Sequence, residues 1–244
     1  HAEGFHAAVR ALVAALAEGN DSCDDPSTTD SRVNLMPGMV SPADIRHLRE
    51  LLADFGLAAT VVPDYSDTLD GPAWQEYRQI PPGGTPIDAL RAMGSARATI
   101  ELGSTWDSRQ TAGALLADRH GVPRHELPLP IGVCLTDALC EALEQITGRP
   151  TPEKHEAERG RLIDAMVDAH KYVFGKRAVV YGEPDLVVGL AGLLAEIGVV
   201  PAICASGAST GRLREAVAAV APDVIAEVNV LEDVDFSDIE EQAA

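Results

Sequence analysis

The sequence predicts an α/β fold, built as two Rossmann-like parallel-sheet modules joined by a long helical connector. Three observations predict it. Helix-period stretches alternate with short apolar strands along almost all of the 244 residues. That alternation recurs in two blocks, 33–131 and 178–230, and the longest helical stretch, 151–174, lies between them. Strands that alternate with helices pair in parallel and carry the helices on the faces of their sheet. The organisation read from this pattern is 1–31 as the end of a preceding domain, 32–150 as a first module, 151–175 as the connector helix and 176–244 as a second, truncated module.

Each element has a local reason. A helix over 4–17 leads into a polar linker, 18–31, rich in Asp, Ser and Thr. A strand at 33–36 is closed by Pro37-Gly38. Ser41 is an N-cap with Pro42 at the first helical position. The helix after it sets Ile45, Leu48, Leu51, Leu52 and Phe55 on one face and stops at Gly56. A strand at 59–62 completes a βαβ unit. The loop 63–86 carries Tyr65, Trp74 and Tyr77, and a loop of that length usually serves function or an interface. A strand at 98–102, a helix over 105–119, a strand at 127–131 and a helix over 136–146 follow. Beyond the connector come strand 178–181, helix 184–197, strand 199–204, helix 210–220 and strand 224–230.

Hydrophobic residues make up 46% and charged residues 23%, the balance of a folded globular chain. The net charge of −19 excludes a nucleic-acid surface, because phosphates would be repelled. No apolar run approaches the ~18 residues that span a bilayer. The best candidate, 186–194, is broken by Gly189 and Gly192. Cys23, Cys134, Cys140 and Cys204 form no metal-ligand spacing, and Cys134 and Cys140 read as buried free thiols of a reducing compartment. The start shows no secretory signal, which points to the cytoplasm. Both ends look cut, so the expectation is a fragment of a longer polypeptide.

Chemistry-bearing motifs are few. The turns at 182–185 and 205–211 sit where a doubly wound sheet puts its ligands, and the second is able to cradle an anion through backbone N–H groups. Neither carries the glycine or lysine spacing of a nucleotide loop. On the connector, Leu162, Ile163, Met166, Val167, His170, Val173 and Phe174 form an apolar stripe, which makes His170 a core histidine. Asp164 and Asp168 fall on the opposite face one turn apart, where two carboxylates can share a hard cation or stand as two solvated charges. No HExxH, GxSxG or Cys/His couple appears. The residues by themselves show no self-contained active site.

Several phrases together resemble the β subunit of molybdenum–iron nitrogenase, the NifK family. They are Val33-Asn34-Leu35-Met36-Pro37-Gly38 with Ser41-Pro42-Ala43-Asp44, the stretch 57–76 with Gly83-Gly84-Thr85-Pro86, and Leu127-Pro128-Leu129-Pro130-Ile131-Gly132 with Thr136-Asp137 and Gly148-Arg149-Pro150-Thr151-Pro152. The last is Glu158-Arg159-Gly160-Arg161-Leu162-Ile163-Asp164 running through Gly175-Lys176-Arg177 into Tyr181-Gly182-Glu183-Pro184-Asp185. His1 and Gly4-Phe5 look like the tail of the segment after the family's cluster-binding region.

The resemblance covers essentially the whole chain and implies the nitrogenase component 1 type of fold. It implies an α2β2 oxidoreductase that reduces dinitrogen to ammonia, with electrons arriving from an ATP-hydrolysing iron protein through the P-cluster, an iron–sulfur cluster at each αβ interface. The iron–molybdenum cofactor belongs to the α subunit. None of the four cysteines matches a P-cluster ligand, which leaves the expected fragment without cluster ligands and inactive alone. The resemblance also implies a mononuclear metal site where two β subunits meet, with Asp164 and Asp168 among its ligands. A NifN-like scaffold for cofactor assembly and a free-standing Rossmann-type binding module are the alternatives.

Overall fold

The computed structural model describes residues 2–19, 31–71, 73, 76, 77, 79 and 82–243. Trp74 and Cys23 lie outside the described residues. Among the described residues there are two all-parallel sheets and nine α-helices.

The first sheet has the order β2-β1-β3-β4, with β1 Arg32–Met36, β2 Ala58–Val61, β3 Ala98–Leu102 and β4 Arg124–Leu127. Period-2 alternation sorts the side chains of β1 onto two faces. Val33 and Leu35 meet Ile45, Leu48 and Leu52 of α2 (Pro42–Asp54) and Leu139 and Leu143 of α5 (Val133–Thr147). Met36 packs on the other face with Val13 of α1 (Ala2–Leu16) and with Leu115 and Leu116 of α4 (Ala112–His120). Asn34, also buried, donates from its amide nitrogen to the Met93 carbonyl at 3.0 Å and to Thr99 Oγ1 at 3.1 Å. The donor side of this polar group inside the layer is thus paired, while its Oδ1 has no partner among the described residues. A short α3, Ile87–Arg91, leads into β3.

The expected cap of α2 is present. Ser41 accepts from the Asp44 N–H and Asp44 accepts from the Ser41 N–H, a full capping box. The Arg residues of α2 hold the start of the long loop: Arg46 pairs with Asp70 at 2.7 Å and Arg49 with Asp64 at 2.6 Å. Tyr65 folds back onto its own module and donates its hydroxyl to the Val40 carbonyl at 2.7 Å.

The second sheet has the order β5-β6-β7, with β5 Arg177–Tyr181, β6 Val200–Ser206 and β7 Asn229–Glu232. Val187, Val188 and Ala191 of α7 (Pro184–Glu196) and Leu213 and Val217 of α8 (Leu213–Val220) cover one face. Ile239 of α9 (Phe236–Ala243) packs on Ile203 and Ala205 on the other.

Four expectations are corrected. The strand expected at 127–131 runs Arg124–Leu127 instead. Pro128 and Pro130 carry no N–H to donate, so the ladder ends where they begin. The helix expected from 105 starts at Ala112, capped by the Thr111 hydroxyl, because the backbone at 104–105 is bonded elsewhere. The last strand is Asn229–Glu232, preceded by a 3-10 turn at Ile225–Glu227, and α9 follows it unforeseen.

The fourth correction concerns the connector, α6 (Glu153–Val173), which buries none of its residues. Leu162 is 46%, Val167 70% and Phe174, just past its end, 66% exposed. The apolar stripe is therefore an uncovered face, and His170 is an exposed residue whose ring lies 4.8 Å from that of Phe174, not a core histidine. No sheet lies beneath this helix to receive the stripe, so periodicity identified the face without saying what covers it.

The two modules meet along α7. Its Gly189 lies so close to Ile131 that a Cβ would sit 2.7 Å from Ile131 Cδ1. Gly189→Leu should therefore lower stability by about 1–3 kcal/mol through overpacking of this contact. Thermal unfolding of the variant beside the unaltered chain measures it, and an unchanged midpoint would show that α7 has room to shift.

Candidate functional site

The expected metal pair is where helical geometry puts it. Asp164 and Asp168 lie on α6, both exposed and one turn apart. Among the described residues no third His, Cys, Asp or Glu joins them in a group able to hold an ion. Two carboxylates fit part of a hard-cation site, which takes six or more oxygens, so water, carbonyl oxygens or a second chain would have to complete it.

Among the described residues the cysteines do not gather into a group able to hold an iron–sulfur cluster. Cys134 is exposed, Cys140 half-buried and Cys204 buried, which corrects the expectation that the first two are buried. Burial raises the pKa of all three thiols, Cys204 up to about 11, and Glu196 beside Cys134 adds to its shift.

The turns between strands and helices are occupied by the chain's own carboxylates. At 205–211, Glu232 of β7 accepts the Thr210 N–H at 2.7 Å, the Thr210 hydroxyl at 2.7 Å and the Gly211 N–H at 3.0 Å. At 182–185, Glu183 caps α7 by accepting the N–H groups of Asp185 and Leu186. The donors a phosphate would use are already satisfied, which removes the physical basis for a nucleotide site at either turn.

Two further carboxylates reach across from the second module to the first, and both stand on α7. Asp185 Oδ1, in its first turn, accepts the Ser104 N–H at 2.7 Å, the Thr105 N–H at 3.0 Å and the Thr105 hydroxyl at 3.0 Å. Glu196, its last residue, accepts the N–H groups of Val133 and Cys134 at 2.8 Å each, at the N-terminus of α5. Arg212 adds a bond from its guanidinium to the Trp106 carbonyl at 2.8 Å.

Around Asp185 the strand ends gather titratable groups. Glu101, buried on β3, holds Arg124 at 2.7 Å and accepts the Thr111 hydroxyl at 2.9 Å. Burial lowers the pKa of His6, whose ring lies 5.1 Å from that of Trp106, and raises that of Glu126. His6, Arg10, Trp106, Gln110, Thr111, Arg119, Ser209 and Thr210 are among the residues around an open cleft of about 660 Å³ between the modules. Sequence reading singled out Asp185 only as part of a turn and missed Glu101, Glu196 and Glu232. Glu196 and Glu232 bond backbone N–H groups distant in the chain, and Glu101 bonds the Arg124 guanidinium and the Thr111 hydroxyl, contacts that leave no mark on local periodicity.

The family described as nitrogenase component 1 type oxidoreductase matches residues 1–244. The chain is 35% identical to the nitrogenase molybdenum–iron protein β chain of Clostridium pasteurianum over 207 residues, covering 85% of this chain and 43% of that one. It is 30% identical to the corresponding β chain of Methanothermobacter thermautotrophicus over 247 residues, 99% of this chain and 52% of that one. The nitrogenase iron–molybdenum cofactor biosynthesis protein NifN of Bradyrhizobium diazoefficiens is 34% identical over 199 residues, 80% of this chain and 41% of that one. Among solved structures, nitrogenase Cp1 at pH 6.5 superposes with a TM-score of 0.89 at 31% identity, covering 99% of this chain and 51% of that one. The chain spans about half the length of the curated relatives it matches. Among the described residues no helix is long and apolar enough to cross a membrane.

Glu183, the cap of α7, makes the stability of the fold sensitive to pH. Burial, with the Asp185 charge beside it, raises its carboxyl from 4.5 to about 7. A carboxyl raised in the folded state binds its proton more tightly there than in the unfolded chain. Its contribution to stability is therefore full below about pH 4.5 and lost as pH rises through about 7. His6 and His125, lowered by burial, act in the opposite sense and lose stability as pH falls below their unfolded value of 6.5. Comparing Glu183→Gln with the unaltered chain isolates the first effect. The unaltered chain should lose up to about 3 kcal/mol relative to the variant between pH 5 and pH 8, less whatever solvent screens. Parallel stability curves for the two would show that Glu183 ionises as it does in water.

Proposed function

The chain belongs to the nitrogenase component 1 type oxidoreductase family, and from that premise we propose that it is part of a nitrogenase β chain. In this reading it works in an α2β2 complex that reduces dinitrogen to ammonia in the cytoplasm and is inactive alone. The observation that carries the reading is the 35% identity to a molybdenum–iron β chain across 85% of this sequence. The proposed organisation is 1–31 as the end of a preceding domain, 32–150 and 176–244 as the two modules, and 151–175 as the connector.

The role is structural and electron-transferring. The proposed partners are the α subunit, a second β subunit and the ATP-hydrolysing iron protein that donates electrons. The P-cluster would transfer electrons within the complex, but the described cysteines do not suit it, and no step is assigned to this chain's thiols. What the chain's residues supply is a scaffold: α7 fixes one module on the other through Asp185 and Glu196, and α6 leaves an apolar and an acidic face free for partners. A NifN-like scaffold is the second reading, favoured by the 34% identity to that protein.

A segment exchange tests the assignment. Placed in the Clostridium pasteurianum β chain in place of the matching residues, this sequence should support assembly with the α subunit and ammonia formation. A chimera that functions in NifN and fails in the β chain would transfer the assignment to the scaffold.

The metal proposal is separate. In the assembled complex, Asp164 and Asp168 would supply carboxylate oxygens to a mononuclear cation between two β subunits, and the cation would offset the repulsion of two adjacent charges brought into an interface. Asp164→Asn with Asp168→Asn in the chimera should remove one metal per β chain and leave cluster iron intact. Metal analysis that finds the full complement in the double variant would refute it.

A further inference from the structure

We propose that the turn at 103–105, at the end of β3, is an oxyanion site whose occupant in this chain is the tethered carboxylate of Asp185, so that one contact both locks the modules and masks the site. The donors are two successive backbone N–H groups and a hydroxyl, all converging on Asp185 Oδ1. Successive N–H groups that point into one concavity form the kind of nest that binds carboxylate or phosphate oxygens. Ser104 adds a buried hydroxyl that has no partner in the structure. Gly103 completes the fit: its φ is +134°, and a Cβ there would lie 2.9 Å from Asp185 Oδ2. Only glycine adopts that backbone readily and leaves the carboxylate its space.

The occupant comes from a distance of 80 residues and is 7% exposed. The nearby guanidinium groups are committed elsewhere, Arg124 to Glu101 and Arg212 to the Trp106 carbonyl. Burying a carboxylate here is tolerated because the turn supplies charge-assisted hydrogen bonds. Removing the side chain would leave those donors empty in a space shaped for a small carboxylate. This inference rests on the local geometry alone and is independent of the proposed function.

The test is chemical rescue with sodium formate, using matched sodium chloride as the ionic-strength control. Asp185→Ala should lower the thermal midpoint by about 5–10 °C. Formate should restore much of that loss in the variant and leave the unaltered chain unmoved. Formate that leaves the variant unchanged, or that raises both proteins alike, overturns the proposal. Asp185→Asn covers the case in which the alanine variant does not fold. It keeps a neutral acceptor in place, so it should show a smaller loss and no response to formate. An asparagine variant as stable as the unaltered chain would equally overturn it.

Discussion

The arrangement of the modules depends on carboxylates accepting backbone N–H bonds across the boundary between them. Asp185 and Glu196 stand at opposite ends of α7 and seat on two separate parts of the first module, the turn after β3 and the start of α5. A single contact would leave the helix able to pivot, whereas two contacts along a 13-residue helix fix its direction. The helix dipole favours the second seat, since Glu196 meets the positive end of α5. Between the two seats, Gly189 brings the α7 backbone against Ile131, so polar contacts fix the ends and apolar packing fills the middle.

These carboxylates also account for what the molecule lacks. Strand-end turns in parallel α/β sheets are natural anion sites, because helix N-termini and free N–H groups gather there. In this chain the turns at 103–105, 182–185 and 205–211 and the start of α5 each hold an internal Asp or Glu. Part of the acid excess behind the charge of −19 is thus spent inside, on donors that a cofactor would otherwise use. Among the described residues these turns offer no free cradle for a nucleotide phosphate, in keeping with function residing in sites and not in folds.

Much of the fold was legible because its determinants are local. Ser41-Pro42 with Asp44 announced α2, period-2 alternation announced β1, and the apolar runs of α7 and β6 announced the second sheet. The misplacements have non-local causes. The helix expected from 105 starts late because the backbone there bonds Asp185, and α8 starts at Leu213 because Glu232 takes the Thr210 and Gly211 N–H groups. The prolines at 128 and 130, the Thr111 cap of α4 and the Asp235/Asp238 cap of α9 were overlooked local signals. Of the candidate site, the Asp164/Asp168 spacing was readable from helical geometry, while Glu101, Glu196 and Glu232 were not, since their partners lie 10 to 63 residues away.

The connector helix follows from the same physics. A 21-residue helix with no fully buried residue gains little tertiary packing beyond His155 stacked on Phe55 and Arg159 paired with Asp137. Helices in proteins owe much of their stability to such packing. Leu162, Val167 and Phe174 would cost less beneath a partner than in water, and the acidic side chains of Asp164 and Asp168 would cost more there unless compensated. A helix with both demands on opposite faces is suited to an assembly that covers one face with apolar surface and meets the other with positive charge. Its sequence is shaped by neighbours beyond the two modules, which is why a stripe that looks like core lies on the outside.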